Sequence, residues 1–120
     1  MSIQTVYTSA ARTATPTAVT VNTRRASGLY LVVDVTAAAA TPSVVATIDG
    51  FDSLSGKFFN LLTSAAFDQT IATRVLKIGR GLTAAANLAV LDFLPDQVRI
   101  TMTHGDADSI TYTVSAHLLD

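Results

Sequence analysis

Residues 28–36 read GLYLVVDVT and carry the most regular hydropathy pattern of the chain. Large aliphatic side chains occupy every second position, at Leu29, Leu31, Val33 and Val35. A period of two places these side chains on one face of an extended strand. The alternate positions include Tyr30 and Val32, so the second face is also fairly apolar. The pattern predicts a central strand of a sheet whose second face is partly covered.

Strand patterns recur on both sides of this segment. The further predicted strands lie near residues 3–8, 18–21, 43–51, 57–63, 74–78, 97–104 and 109–118. The turn sequence DSLSG at 52–56 is predicted to join two of them as a hairpin, and GDAD at 105–108 to join the last two as another. Residues 37–42, AAAATP, are predicted to form a loop. We expect an all-β fold of about eight strands, an antiparallel β-sandwich or jelly roll.

The composition also favours strands over helices. Of the 120 residues, 18 are Thr, 12 are Val and 6 are Ile, whereas only 2 are Lys and Glu is absent. β-Branched side chains pack well on a pleated surface, and Glu and Lys are the usual residues of a solvated helix face. The length of 120 residues and this composition together describe one small globular domain.

The segment 79–96, GRGLTAAANLAVLDFLPD, does not follow the strand pattern. It is apolar, yet it shows neither a clean alternation nor the charge of a solvated loop. Two structures are possible: a short helix over 83–91 capped by Thr83, or a long apolar loop that another subunit covers.

The beginning of the chain is rich in small and hydroxyl side chains. Residues 9–23 read SAARTATPTAVTVNT. This segment is either a lead-in to the first core strand or an arm that lies on a neighbouring subunit. We accordingly divide the chain into residues 1–18, an N-terminal arm or lead-in strand, and residues 19–120, the β-sandwich domain.

The sequence favours a cytoplasmic site of synthesis and excludes two classes of partner. Residues 1–7 lack a basic start and a long apolar run, and the apolar stretch 29–35 is too short to cross a bilayer. We therefore expect no membrane partner. The formal net charge is -1, which removes the broad basic field that nonspecific nucleic-acid binding requires. The chain has no Cys, so disulfides and thiolate metal sites are excluded.

Two carboxylate-rich turns are the candidates for metal binding. The first contains Asp49, Asp52 and Ser55, and the second, HGDAD, contains His104, Asp106 and Asp108. The first departs from the twelve-residue EF-hand spacing and lacks the closing bidentate acid. In both, Asp and Gly are explained as turn residues, because Asp accepts hydrogen bonds from nearby main-chain N–H groups. We therefore predict no metal site and no cofactor.

No catalytic residue is predicted. The chain has two His and many hydroxyl groups, but it lacks G-x-S-x-G, H-E-x-x-H, a P-loop and G-x-G-x-x-G. Asp34 is unusual, because a carboxylate in the middle of a central strand needs a partner. Arg24 and Arg25 are the candidates, and such a pair is more often structural than catalytic. We expect a protein that is not an enzyme.

Several blocks of sequence resemble a known group of proteins. They are GLYLVVDVT at 28–36, TIDGFDSLSGKFFNLLTSAA at 47–66, GLTAAAN at 81–87, and LPDQVRITMTHGDADSITYTVSAHLL towards the end of the chain. In this order they resemble small β-rich structural proteins encoded among the virion genes of tailed bacteriophages. The resemblance implies a component of the particle, a head decoration or cement protein, or alternatively a tail or head–tail component. It implies no catalytic residues.

The expected function is therefore structural. We predict a homo-oligomer, a trimer, that binds the major capsid protein or other virion proteins, in a virion assembled in the host cytoplasm. The predicted contact residues lie in the lead-in and in the apolar segment: Thr15, Pro16, Leu82, Leu88, Val90, Leu91, Phe93 and Leu94. The alternative from another class is a carbohydrate-binding or adhesion module. Against it, aromatic residues make up only 7% of the chain, Trp is absent, and Phe58 and Phe59 are adjacent, so at least one should face inward.

Overall fold

The computed structural model describes residues 2–120 and contains nine strands. The strands are β1 (Ser2–Arg12), β2 (Val19–Asn22), β3 (Gly28–Ala38), β4 (Val44–Asp52), β5 (Lys57–Thr63), β6 (Thr73–Gly79), β7 (Ala89–Leu91), β8 (Gln97–His104) and β9 (Ile110–Leu119). No helix occurs within these residues. Met1, the first residue of the predicted arm or lead-in strand, lies outside them.

The strands form two sheets that enclose one core. The five-stranded sheet has the order β1-β9-β3-β6-β7, and the four-stranded sheet has the order β2-β8-β4-β5. Antiparallel pairs are nested along the chain: β1 with β9, β2 with β8, β3 with β6, and β4 with β5. Nested pairing of eight strands across two sheets is the topology of a jelly roll. The predicted all-β fold is confirmed, with β7 as a short ninth strand parallel to β6.

The predicted central strand is β3, which pairs with β9 on one side and β6 on the other. Its alternating residues Leu29, Leu31 and Val33 are fully buried between the sheets. The facing residues from β4 and β8 are also buried: Val44, Ala46, Ile48, Val98, Ile100 and Met102. On the outer face Tyr30 is half-buried, and the Lys77 ammonium lies 5.0 Å from its ring centroid.

The predicted hairpin between the last two strands is wrong. β8 lies in the four-stranded sheet beside β2 and β4, whereas β9 lies in the other sheet between β1 and β3. Residues 105–109 therefore cross from one sheet to the other. The crossing is held by a hydrogen bond from Gly105 N to Ser43 O (2.8 Å) and by one from Thr41 N to the Asp108 carboxylate (3.2 Å). Both strands bury one face, so both show the alternating pattern. That pattern does not identify which strand each of them is hydrogen-bonded to. The hairpin at 52–56, by contrast, joins β4 to β5 as predicted.

The short helix over 83–91 does not form. Ala85 and Ala89 instead exchange two main-chain hydrogen bonds of 3.0 and 2.9 Å around a turn in which Asn87 has φ 63°. The chain then continues as β7, hydrogen-bonded to β6. Three consecutive alanines are too few to nucleate a helix, and the edge of β6 supplies partners for the backbone. The segment is therefore a loop that contains the short strand β7, and its coverage by another subunit stays a prediction.

The first described residues are part of the five-stranded sheet. Residues 2–12 form β1 and pair with β9, with register shifts between Thr5 and Tyr7 and between Tyr7 and Ala10. The following connection is also attached. Tyr7 Oη donates to Thr17 O (2.7 Å), and His104 N donates to Thr15 Oγ1 (2.9 Å).

Two smaller predictions are corrected. The loop predicted at 37–42 begins later, because β3 continues through a bulge to Ala38. The partner of Asp34 is Thr73, whose Oγ1 donates to the carboxylate at 2.8 Å. Arg24 and Arg25 do not serve as partners, because they precede the first residue of β3 and Asp34 lies six residues into it, on the order of 20 Å along the strand.

Candidate functional site

The first predicted turn is held by its own hydrogen bonds. The Asp52 carboxylate accepts from Ser55 Oγ (2.8 Å) and from Leu54 N (3.0 Å), and these bonds hold the pKa of Asp52 below its usual value. Asp49 is engaged elsewhere. Its carboxylate accepts from Arg99 Nη2 (3.2 Å) and from Asn60 Nδ2 (3.3 Å) on the outer face of the four-stranded sheet. The two carboxylates therefore have separate partners.

The carboxylates of the second predicted turn also accept hydrogen bonds from the protein. Asp106 accepts from Asp108 N (3.1 Å), and Asp108 accepts from Thr41 N. The His104 ring contacts Tyr112, with Nε2 3.0 Å from Tyr112 Oη. Within residues 2–120, no group of three or more His, Cys, Asp or Glu side chains is placed to hold a metal ion.

A polar cluster lies at the end of the sandwich near His104. Its Nε2 is 3.0 Å from Tyr112 Oη, and the Arg12 guanidinium carbon lies 4.7 Å from the Tyr112 ring centroid. Burial raises the pKa of Tyr112 to about 12, so its hydroxyl is protonated. Burial, and then the Arg12 charge, lower the pKa of His104, which favours the neutral ring. Tyr7 also holds the 13–18 connection through Thr17, and Arg12 donates to the main-chain oxygens of Thr8 and Tyr112. This cluster therefore has a structural explanation.

An open cleft lies at the opposite end of β8. Seven residues line it: Asn22, Arg24, Arg25, Phe51, Ser53, Asp96 and Gln97. We call it the Arg24–Arg25 cleft. Its volume is about 770 Å³, within the range of roughly 300–1,000 Å³ for ligand sites. Three connections meet here: β2 to β3, β4 to β5, and β7 to β8.

The two arginines of the cleft form the centre of a tight turn. Arg24 has φ 52° and Arg25 has φ 60°, and Ala26 N donates to Thr23 O at 2.9 Å. Positive φ at both central residues defines a type I′ turn. This turn favours Asn followed by Gly, and it is energetically unfavourable for two arginines. The sequence offered no turn signal here, and Arg24 and Arg25 were considered only as partners for Asp34.

The floor of the cleft belongs to the four-stranded sheet. Asn22 and Gln97 are cross-strand neighbours on β2 and β8. Phe51 stands on the adjacent β4, and its ring centroid is 5.0 Å from that of Phe58. The Arg99 guanidinium lies 3.7 Å from the Phe58 ring centroid while it pairs with Asp49. Amide, aromatic and charged side chains therefore lie together on the outer face of the four-stranded sheet.

The predicted contact residues are separated by the fold. Leu88, Leu91 and Phe93 are exposed, and we call these three side chains the exposed loop surface. The other predicted apolar contacts are more enclosed: Leu82, Val90 and Leu94 are half-buried, and Val90 and Leu94 pack against the core of their own subunit. Thr15 lies beside His104, at the end of β8 remote from Phe93 and Leu94.

A shallow groove adjoins the exposed loop surface. It has a volume of about 360 Å³ and lies between β6 and the loop before β7. Its lining residues are Val75, Lys77, Leu82, Thr83, Ala85, Leu88 and Ala89. Val75 is the cross-strand neighbour of Val32, so an apolar pair on the outer face of the five-stranded sheet adjoins this groove.

Within residues 2–120, no helix is long and apolar enough to cross a membrane. The comparisons with known proteins give no relatives: no protein-family model, curated protein or solved structure matches the chain.

Proposed function

We propose that this protein is a non-enzymatic structural component of a tailed-phage virion, a decoration protein that binds the head shell and associates with itself as a trimer. The observation that carries the proposal is the exposed loop surface. The resemblance of the blocks at 28–36, 47–66 and 81–87 to small virion proteins supports the part of the proposal that concerns the phage particle.

The exposed loop surface supplies binding area of the kind that protein interfaces use. Leu88 is 46% exposed, Leu91 is 57% exposed and Phe93 is 72% exposed, all within residues 88–93. Burial of a fully exposed side chain of this size contributes roughly 1.5–3 kcal/mol, and these side chains contribute in proportion to the fraction that is exposed. Grouped apolar side chains of this size on a soluble domain mark interaction surfaces.

The loop that carries these side chains is anchored to the sandwich. Asn87 Nδ2 donates to Thr63 O at 2.9 Å, and Lys77 N donates to Leu88 O at 2.9 Å. β7 then adds three residues to the edge of the five-stranded sheet. A prearranged loop loses little conformational entropy on binding, so more of the burial energy remains for association.

The jelly roll is compatible with the proposal but does not decide it. The same architecture occurs in viral capsid proteins and in lectins, and a fold hosts unrelated functions. The exposed loop surface and the adjoining groove are therefore the features that support the proposal. Because Val90 and Leu94 pack on their own core, we leave them out of the proposed contact.

Cryo-electron microscopy of the native particle tests the proposal directly. We expect this protein as trimeric density on the outside of the head, with residues 88–93 buried in a subunit contact. Mass spectrometry of purified particles should give a copy number proportional to that of the major capsid protein. Density confined to the tail or the head–tail junction would support the alternative location. Absence of the protein from purified particles would overturn the proposal.

A further inference from the structure

Two guanidinium groups in the Arg24–Arg25 cleft lack a side-chain partner within residues 2–120. The hydrogen bond recorded for Arg24 is made by its main-chain N–H, which donates to Asn22 Oδ1 at 2.9 Å. A neighbouring arginine, Arg99, has such a partner, because it forms an ion pair with Asp49. Asp96 is the one carboxylate in the lining, so two positive charges face one negative charge. The cleft is therefore suited to an anionic group.

Local folding does not explain arginine at these two positions. Arg24 and Arg25 both adopt the left-handed conformation, at φ 52° and 60°. Asn and Gly would form the same type I′ turn with less strain, because Gly has no Cβ and Asn tolerates positive φ. The two guanidiniums are presented at a conformational cost, and a ligand that they bind would account for it.

The turn is fixed on both sides. Thr23, fully buried, donates from Oγ1 to Pro95 O (2.6 Å) and from N to Asp96 O (2.9 Å). On the other side, Ser27 N donates to Leu119 O at 2.7 Å. The backbone of both arginines is thereby held over the cleft, which reduces the ordering needed when a ligand binds.

The remaining lining groups match a polyhydroxylated molecule. Asn22 and Gln97 place two carboxamides side by side, and each carboxamide can both donate to and accept from a hydroxyl group. The half-buried ring of Phe51 offers an apolar surface on which the C–H face of a sugar can pack. Ser53 adds a hydroxyl at the rim.

We propose that the Arg24–Arg25 cleft binds an oligosaccharide that carries carboxylate groups. The guanidiniums pair with carboxylates in a planar, bidentate geometry, while the amides bind hydroxyls and Phe51 packs against a sugar ring. A nucleic acid is a poorer match, because no further Lys or Arg lines the cleft and backbone binding needs several such contacts. This activity goes beyond the role in the particle and does not depend on it.

The first experiment measures binding of defined acidic sugars. Calorimetry and ¹⁵N chemical-shift mapping are carried out on the full chain with oligogalacturonate, oligoguluronate, a hyaluronan tetrasaccharide and sialyllactose. At least one is expected to bind, with shifts centred on residues 22–25, 51–53 and 96–97. Its methyl-esterified form, which has the same sugar without the charge, is expected to bind at least tenfold more weakly.

The second experiment separates binding from folding. The double variant Arg24→Asn, Arg25→Gly supplies the preferred turn residues and removes both charges. We expect it to have a higher Tm than the parent protein and an affinity for the acidic sugar at least tenfold lower. Arg80→Gln is the matched control, because Arg80 lies against Phe93 outside the cleft. It should bind as the parent protein does.

Three results would each overturn the proposal. The first is the failure of every acidic sugar to bind at millimolar concentration. The second is unchanged affinity in the Arg24→Asn, Arg25→Gly variant. The third is binding of hexaglutamate, or of a short single-stranded DNA, at the cleft more tightly than any of the sugars. None of these results bears on whether the protein is found on the particle.

Discussion

The ring of Phe59 covers the backbone of Gly50 so closely that a β-carbon at position 50 would stand 2.5 Å from two ring carbons. The two residues are cross-strand neighbours on β5 and β4. Pro95 lies on the other side of the same site, with Cγ 3.0 Å from that β-carbon. The absence of a side chain at Gly50 therefore allows Phe59 and Pro95 to close this end of the sandwich.

The variant Gly50→Ala is expected to lower the free energy of unfolding by about 1–3 kcal/mol, the usual cost of overpacking. In a Phe59→Ala background the same change should cost less, because the ring that clashes is gone. Urea denaturation of the four proteins measures this coupling. Gly105→Ala is the control, since its β-carbon would meet nothing closer than 3.4 Å. Equal costs in the two backgrounds would show that the ring is not the obstacle.

His104 is expected to make stability depend on pH. Burial lowers its folded-state pKa below the ordinary 6.5, so the unfolded chain takes up the proton first as the pH falls. The free energy of unfolding should therefore decrease as the pH drops through about 6.5, and this loss should stop below the folded-state pKa. Urea denaturation between pH 8 and pH 5.5 measures the slope.

The variant His104→Gln should remove that part of the slope. His117→Gln is the matched control, because His117 is half-exposed and its Nε2 has a long contact of 3.4 Å with Ser115 Oγ. Its slope should equal that of the parent protein. Identical slopes in the two variants would contradict the assignment of the pH dependence to His104.

Substitution of the exposed loop surface should weaken association without unfolding the subunit. The triple variant Leu88→Ser, Leu91→Ser, Phe93→Ser removes three side chains that are exposed in the single chain. If they are buried in the oligomer, association loses several kcal/mol, at roughly 1.5–3 kcal/mol for each fully buried side chain. Light scattering coupled to size exclusion measures the oligomer, and circular dichroism measures the fold.

Two further variants serve as controls for this triple change. Leu54→Ser removes an apolar side chain that is 97% exposed on the 52–56 turn, and it should affect neither association nor fold. Val33→Ser places a hydroxyl in the core and should unfold the protein at lower urea concentration. A parent protein that is monomeric at tens of micromolar would count against self-association through this surface.

Chelation should leave structure and assembly unchanged. The carboxylates of Asp52 and Asp106 already accept hydrogen bonds from the N–H or O–H groups of their own turns, at 2.8–3.1 Å. Thermal melting with and without EDTA is the measurement. A decrease in Tm of more than a few degrees that Ca²⁺ restores would show that one of the turns binds metal.

The sequence was sufficient to predict the all-β class, the central strand and most strand positions. These features depend on local alternation, and a period of two in residues such as Leu29, Leu31 and Val33 is compatible only with a strand that buries one face. The hairpin at 52–56 was also predictable, because its turn residues and both flanking strands are adjacent in the chain.

Features that depend on distant partners were decided by the tertiary structure. β8 and β9 alternate as a hairpin would, yet each pairs within its own sheet with strands from the first half of the chain, because the nested pairing of the jelly roll separates them into two sheets. Thr73 replaced the arginines as the partner of Asp34 since register places it opposite on β6. The Arg24–Arg25 cleft joins residues up to 75 positions apart, from Asn22 to Gln97. No local sequence pattern predicts this cleft, because the cleft forms only where three connections converge at one end of the sandwich.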